Sequence, residues 1–89
     1  MKNKEGTIRT VPVTLPPLGE GINKATVAFW HFKAGDTVKA GEDVVELEID
    51  KATFNVPAPV SGRIKKIFFK EGADAPIGAA LAVIVPNDP

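Results

Sequence analysis

Glu46-Leu47-Glu48-Ile49-Asp50-Lys51-Ala52-Thr53-Phe54-Asn55-Val56 places one lysine between two runs of alternating apolar and polar residues. Before the lysine, Val45, Leu47 and Ile49 alternate with Glu46, Glu48 and Asp50; after it, Ala52, Phe54 and Val56 alternate with Thr53 and Asn55. A period of two marks a half-buried strand, because successive side chains leave opposite faces of a sheet. The stretch is therefore read as a β-hairpin with Lys51 at its tip and the turn close to Asp50-Lys51. Asp-Lys is not the Asn-Gly or Asp-Gly pair that short hairpin turns favour, so turn chemistry alone does not account for the lysine.

Working outward, the same punctuated β pattern fills the chain. Val11, Val13 and Leu15 alternate with Pro12 and Thr14 as a first strand, and Pro12 assigns it to a sheet edge, since proline donates nothing to a ladder. Pro16 to Gly21 is a loop of strong breakers. Lys24 to Phe32 is rich in β-formers and predicts a second strand, followed by a turn at Lys33-Ala34-Gly35-Asp36 and a very short strand at Thr37-Val38-Lys39. Val44 to Ile49 and Ala52 to Val56 form the hairpin, Arg63 to Phe69 the next strand, and Ala80 to Val85 the last. Glu71-Gly72-Ala73-Asp74 and Ile77-Gly78-Ala79 read as turns. Residues 1–10 are expected to form a flexible leader, 11–85 a single domain, and 86–89 a tail or the start of a linker.

An offset of 37 residues lays the second half of the domain on the first without a gap: Phe32-Lys33 falls on Phe69-Lys70, Gly35 on Gly72 and Gly41 on Gly78. Val27 meets Ile64, Trp30 meets Ile67, Val44 meets Leu81 and Leu47 meets Ile84. Two copies of a short β motif, neither able to bury its own apolar face, complete each other. The expected fold is thus all-β, a flattened barrel or sandwich of two antiparallel sheets with approximate two-fold symmetry and its two chain ends close together. At this offset Thr14 is the formal counterpart of Lys51, in a segment that forms no such hairpin. The lysine tip is then the feature present in one half only.

Composition removes other classes. At 89 residues there is room for one small domain and no multi-domain enzyme. Eleven basic and eleven acidic residues cancel, giving no bulk attraction to nucleic acid or an anionic membrane. The absence of cysteine excludes disulfides, thiolate metal sites and a protein thiol nucleophile. The N-terminus lacks the apolar stretch of a secretory signal and no apolar run is long enough to span a bilayer, so a cytoplasmic protein is expected.

Glu48-Ile49-Asp50-Lys51-Ala52-Thr53, with Leu18-Gly19-Glu20-Gly21-Ile22 before it and Val56-Pro57-Ala58-Pro59-Val60-Ser61-Gly62 after it, resembles the lipoyl domains of the dihydrolipoamide acyltransferase components of 2-oxo acid dehydrogenase complexes. The resemblance spans residues 11 to 85 and implies a barrel-sandwich hybrid. It implies that Lys51 is an N6-lipoyllysine, the lipoic acid being attached when the lysine amine attacks an activated lipoate carboxyl to form an amide. It implies a non-catalytic carrier domain whose arm moves acyl groups and reducing equivalents among three enzymes. These are a thiamine-diphosphate-dependent decarboxylase, an acyltransferase catalytic domain and an FAD-dependent dihydrolipoamide dehydrogenase. A lipoate ligase or lipoyl transferase is a further implied partner, and the isolated domain is expected to be monomeric. The lack of cysteine fits, because a protein thiol could exchange with the cofactor's sulfurs.

Around Lys51, the outward Glu48 and Asp50, the small Ala52, and Gly19 and Glu20 in the upstream loop are candidate recognition residues. The bland readings stand beside them: a solvated strand face and a plain turn. Gly19-Glu20-Gly21 is too short, and has no following Lys-Ser/Thr or helix, to be a phosphate loop. His31 stands alone without a nucleophile and is expected to face outward or pack as a neutral ring. Lys65, Lys66 and Lys70 beside Phe68 and Phe69 are not read as a nucleic-acid surface, since the repeat accounts for Phe69 as core. The alternative is a biotin carrier, which shares the architecture and a hairpin lysine. That resemblance requires methionines where Asp50 and Ala52 stand. The Met1 start suggests the N-terminal module of a longer acyltransferase or a free-standing carrier.

Overall fold

The computed structural model describes residues 9–87. Eight strands occur in the order β1 (Val11–Thr14), β2 (Lys24–Trp30), β3 (Thr37–Val38), β4 (Asp43–Ile49), β5 (Ala52–Pro57), β6 (Gly62–Ile67), β7 (Asp74–Pro76) and β8 (Ala80–Pro86). They form two antiparallel four-stranded sheets, ordered β1-β8-β6-β3 and β5-β4-β2-β7. Both orders are the same motif under exchange of the halves, which is the two-sheet arrangement expected from the repeat. Pro12 lies on the edge strand β1, Pro57 and Pro76 on the edge strands β5 and β7, where a missing donor is harmless.

The symmetry extends to single hydrogen bonds. Gly35 N–H donates to Ile64 O and Ile64 N–H to Asp36 O; the 37-residue equivalents are Gly72 N–H to Val27 O and Val27 N–H to Ala73 O. Gly35 and Gly72 hold φ of 98° and 91°, and Gly41 and Gly78 hold 92° and 89°. A side chain would be strained at these turns, which explains why glycine recurs at this spacing. Register shifts also come in equivalent places, between Val27 and Phe29 opposite β4 and between Ile64 and Lys66 opposite β8. A second pair of shifts, between Asp43 and Val45 and at Val13/Thr14, brackets the extra residues Val44 and Leu81. These bulges bend the strands and let consecutive residues face inward. Val44 and Val45, like Leu81 and Ala82, are fully buried.

The core is one apolar cluster drawn from both sheets, including Val13, Leu15, Val27, Val38, Leu47, Ile64 and Ile84, and no polar or charged residue among those described is buried. Burial of such side chains, each contributing about 1.5–3 kcal/mol, is what a domain without disulfides must rest on. Trp30 packs on its rim, with its indole N–H donating to Phe69 O at 2.8 Å and its backbone N–H to Glu71 Oε2 at 3.0 Å.

Three expectations are corrected. Asp74, expected to close a turn, opens strand β7 with Ala75 and Pro76: Lys24, Ala25 and Thr26 lie opposite Pro76, Ala75 and Asp74. The second strand ends at Trp30 and the sixth at Ile67, two residues short of the apolar runs that suggested them, because His31-Phe32 and Phe68-Phe69 bend away into turns. Thr14 is not the counterpart of Lys51. Val11 lies opposite Ile84 and Phe54 opposite Leu47; Leu47 and Ile84 are equivalent, so β1 matches β5 at an offset of 43 residues. The equivalent of the lysine turn falls beyond the Val11–Ile84 pair, where β1 begins and β8 ends and no turn joins them. Residues 1–8 of the expected leader, and 88–89 of the expected tail, lie outside the described residues; Pro86 pairs with Gly62 as the last residue of β8.

Candidate functional site

Ile49 pairs with Ala52, so Asp50 and Lys51 alone make the β4–β5 turn, as the alternation predicted. Asp50 has φ of 53°, and it is the one described non-glycine residue with positive φ. A positive φ at a hairpin turn position is where glycine is the usual residue. Aspartate tolerates the left-handed region better than most residues, at a cost on the order of 1 kcal/mol. The turn is anchored by Leu47 at full burial, by Val56 buried, and by Ile49 and Phe54 half-buried, so the exposed tip stands on a rigid base.

Lys51 is exposed, as are Glu48, Asp50, Ala52 and Thr53. The ion pair found among the described residues is Lys24 Nζ to Asp74 Oδ2 at 3.4 Å, so Lys51 is held by no carboxylate there. Its amine stands on a long apolar stem at the end of a hairpin, a geometry suited to entering another protein's active site. Among the described residues no three His, Cys, Asp or Glu side chains converge.

The β1–β2 loop reaches the same end of the molecule. Gly21, Ile22, Asn23 and Lys24 face Ile49 and Asp50 across a cleft of about 400 Å³. Gly19 and Glu20 are exposed in that loop, where Ile22 N–H donates back to Gly19 O at 3.2 Å, but neither lines the cleft. Offsets of 37 and 43 residues on its two sides make this loop six residues longer than its β5–β6 equivalent. The extra length carries it to the tip. Asn23 and Lys24 were not singled out from sequence; the unequal offsets were the signal that could have found them.

On the edge strand β7, Asp74 accepts from the Thr26 hydroxyl at 2.7 Å and from Lys24, which lines the cleft, at 3.4 Å. The Thr26 hydrogen bond first, then the Lys24 ammonium, hold this carboxyl below its usual range. His31 is exposed; its Nε2 lies 2.9 Å from Asn55 Oδ1 and its ring meets Phe29 edge-on at 5.2 Å between centroids. A larger groove of about 630 Å³, floored by Trp30, Phe32 and Ile67, shares no residue with the tip cleft. Its cations Lys33 and Lys70 are matched by Asp36 and Glu71, which leaves no charge preference.

Fold and site together define a small all-β carrier module, a symmetric scaffold that presents one lysine on its unpaired turn. Residues 11–84 match the model of the family described as "Biotin-requiring enzyme", which takes in biotinyl and lipoyl domains, and the chain belongs to that family. It is 41% identical over 75 residues to the dihydrolipoyllysine-residue succinyltransferase component of the 2-oxoglutarate dehydrogenase complex of Bartonella vinsonii subsp. berkhoffii, covering 84% of this chain and 18% of that protein. It is 43% identical over 67 residues to the dihydrolipoyllysine-residue acetyltransferase component of the pyruvate dehydrogenase complex of Acholeplasma laidlawii, covering 75% and 12%. The solution structure of the lipoyl domain of the 2-oxoglutarate dehydrogenase complex from Azotobacter vinelandii superposes with a TM-score of 0.72 at 33% identity, covering 88% of this chain and 99% of that one. Within the family, this chain is a lipoyl-type carrier domain. It spans less than a fifth of the length of either relative.

Proposed function

We propose that Lys51 is the residue that carries lipoic acid, in amide linkage, and that the domain serves a 2-oxo acid dehydrogenase complex. The carrying observation is the placement of Lys51: exposed, outside any ion pair among the described residues, and second of the two residues that turn β4 into β5. The residues present fit the group, since an exposed amine on a rigid turn can be acylated without disturbing the core. When attached, lipoic acid supplies a dithiolane that takes up and gives back acyl groups and electron pairs. The chain's own part is presentation. β4 and β5 fix the base of the arm, Asp50 sets the turn, and Ala52 keeps the far side of the lysine uncrowded. Amide formation removes the ammonium charge. A tethered arm raises its effective concentration at each active site within reach.

Glu48, Asp50 and Ala52 at the tip, and Gly19 and Glu20 in the neighbouring loop, are the recognition surface in this reading. The partners are a lipoate ligase or lipoyl transferase, a thiamine-diphosphate-dependent decarboxylase, an acyltransferase catalytic domain and a dihydrolipoamide dehydrogenase. Their compartment is the cytoplasm; no helix among the described residues is long and apolar enough to cross a membrane. Expression with a lipoate ligase and lipoate, and separately with a biotin ligase and biotin, followed by intact mass measurement, tests the assignment. A lipoyl adduct on the wild type and none on Lys51→Ala is expected. A biotin adduct, or lipoylation that survives Lys51→Ala, overturns it.

A further inference from the structure

The chain is neutral, but its two sheets are not. The strands of the β1-β8-β6-β3 sheet carry Arg63, Lys65 and Lys66 and no carboxylate. Those of the β5-β4-β2-β7 sheet carry Asp43, Glu46, Glu48 and Asp74 against Lys24 alone, and Lys24 is already paired with Asp74. The two sheets thus differ in charge on the same backbone plan. The sharpest substitution is on the central strands: the 37-residue offset carries the outward Glu46 and Glu48 of β4 onto Val83 and Val85 of β8, both half-buried. Val83 lies between Pro12 and Lys66 and Val85 beside Arg63, so an apolar strip runs alongside the cations of β6. The strip continues to Phe68, 47% exposed, over whose ring Lys66 Nζ sits 5.6 Å from the centroid.

At one end of this face is a pocket of about 330 Å³ lined by Thr37, Arg63, Val85, Pro86 and Asn87. A guanidinium, a hydroxyl and an amide converging beside a valine and a proline form a donor set for a carboxylate on an apolar seat. None of these residues belongs to the tip cleft.

We propose that the outer face of the β1-β8-β6-β3 sheet docks an acidic, partly apolar segment of a partner protein. One of its carboxylates sits against Arg63, Thr37 and Asn87, and its apolar side chains lie on Val83, Val85 and Phe68. Charge complementarity selects this occupant, because the face offers cations and apolar surface and no competing anion from its own strands. The geometry separates holding from presenting. A partner gripping this face leaves the Lys51 turn, on the other sheet, uncovered.

The test is an amide chemical-shift titration of the full ¹⁵N-labelled chain with a capped pentapeptide of three glutamates alternating with two leucines. The same pentapeptide with lysines for glutamates is the control. Shifts confined to the neighbourhood of Thr37, Arg63, Lys66, Val83, Val85 and Asn87 are expected for the acidic peptide alone, weakening with salt. The double variant Arg63→Gln/Lys66→Gln should lose roughly tenfold or more in affinity while keeping a dispersed spectrum. Lys51→Ala should bind unchanged, so the outcome is independent of lipoylation. No shifts at millimolar peptide, equal response to the basic peptide, or shifts centred on the hairpin tip would overturn the proposal. So would tighter binding of a thymidine oligonucleotide or of phosphatidylserine vesicles through the same residues, which would make the face a polyanion or membrane surface.

Discussion

Ile49 lies directly opposite Ala52, and the two residues between them, Asp50 and Lys51, divide the work of the turn: Asp50 takes the left-handed backbone and Lys51 takes the outward position. Glycine would fill the first place with less strain, so replacing Asp50 separates stability from recognition. Asp50→Gly relieves the αL cost, offset in part by the greater freedom of glycine in the unfolded chain, and should stabilise the domain by up to about 1 kcal/mol. Asp50→Val, β-branched at positive φ, should destabilise it by about 1–2 kcal/mol. Urea unfolding of both variants measures this. Equal midpoints for the two would show that the turn is not strained at Asp50.

Exchanging the two turn residues, Asp50→Lys with Lys51→Asp, keeps composition and charge but moves the amine to the first turn position. If the ligase reads the place of the lysine, the exchanged protein should show no lipoyl adduct by intact mass under conditions that fully modify the wild type. Modification at the new position would mean that the acidic border, and not the backbone geometry, directs the enzyme.

Gly62 pairs with Pro86 and lies buried at the start of the β6–β8 ladder. A Cβ there would collide with the Val85 carbonyl oxygen and stand 2.8 Å from Ile84 Cγ2. Backbone cannot swing aside as a side chain can. Gly62→Ala should therefore destabilise by roughly 1–3 kcal/mol, the usual penalty of overpacking. Denaturant midpoints report it, and a change under a few tenths of a kcal/mol would mean that β6 and β8 are free to separate.

The parts of this molecule visible in sequence are those written in periodicity and punctuation. The Lys51 hairpin shows because both its strands have one wet face, so apolar residues alternate on each side of the turn. The repeat shows because Gly35, Gly41, Gly72 and Gly78 sit at positive φ, where few other residues fit. Strand β7 escapes because Asp74 and Pro76 are poor β-formers; its strand character comes from pairing with β2, a tertiary cause. Applying the offset to Thr37-Val38 would have found it. The same offset misassigned Thr14, since an insertion between β1 and β2 breaks the register upstream. That insertion is what brings Ile22, Asn23 and Lys24 to the tip, so the part of the site made by the loop was hidden by the feature that built it. Opposite charge on the two sheets was likewise invisible in a net charge of zero.

Asp74 offers a test, read by pH, of how the edge strand β7 is held to β2. Its carboxyl is bound by the Thr26 hydroxyl and the Lys24 ammonium, and these hold its pKa below the ordinary value of 3.8. A carboxyl that gives up its proton more readily when folded stabilises the fold in its ionised form. That contribution is complete above the unfolded value and is lost as pH falls through the lower, folded one. The group is solvent-exposed, so the effect on global stability is small and the local titration is the sensitive readout. Thr26→Val removes the hydroxyl that donates to the carboxylate and keeps the shape, and should move the Asp74 titration, followed by carboxyl carbon shifts, back towards 3.8. Lys24→Gln should move it in the same direction by less, with an added dependence on salt lost. If Thr26→Val leaves the titration in place while Lys24→Gln shifts it fully, the ion pair and not the hydroxyl fixes Asp74 at the β2–β7 edge.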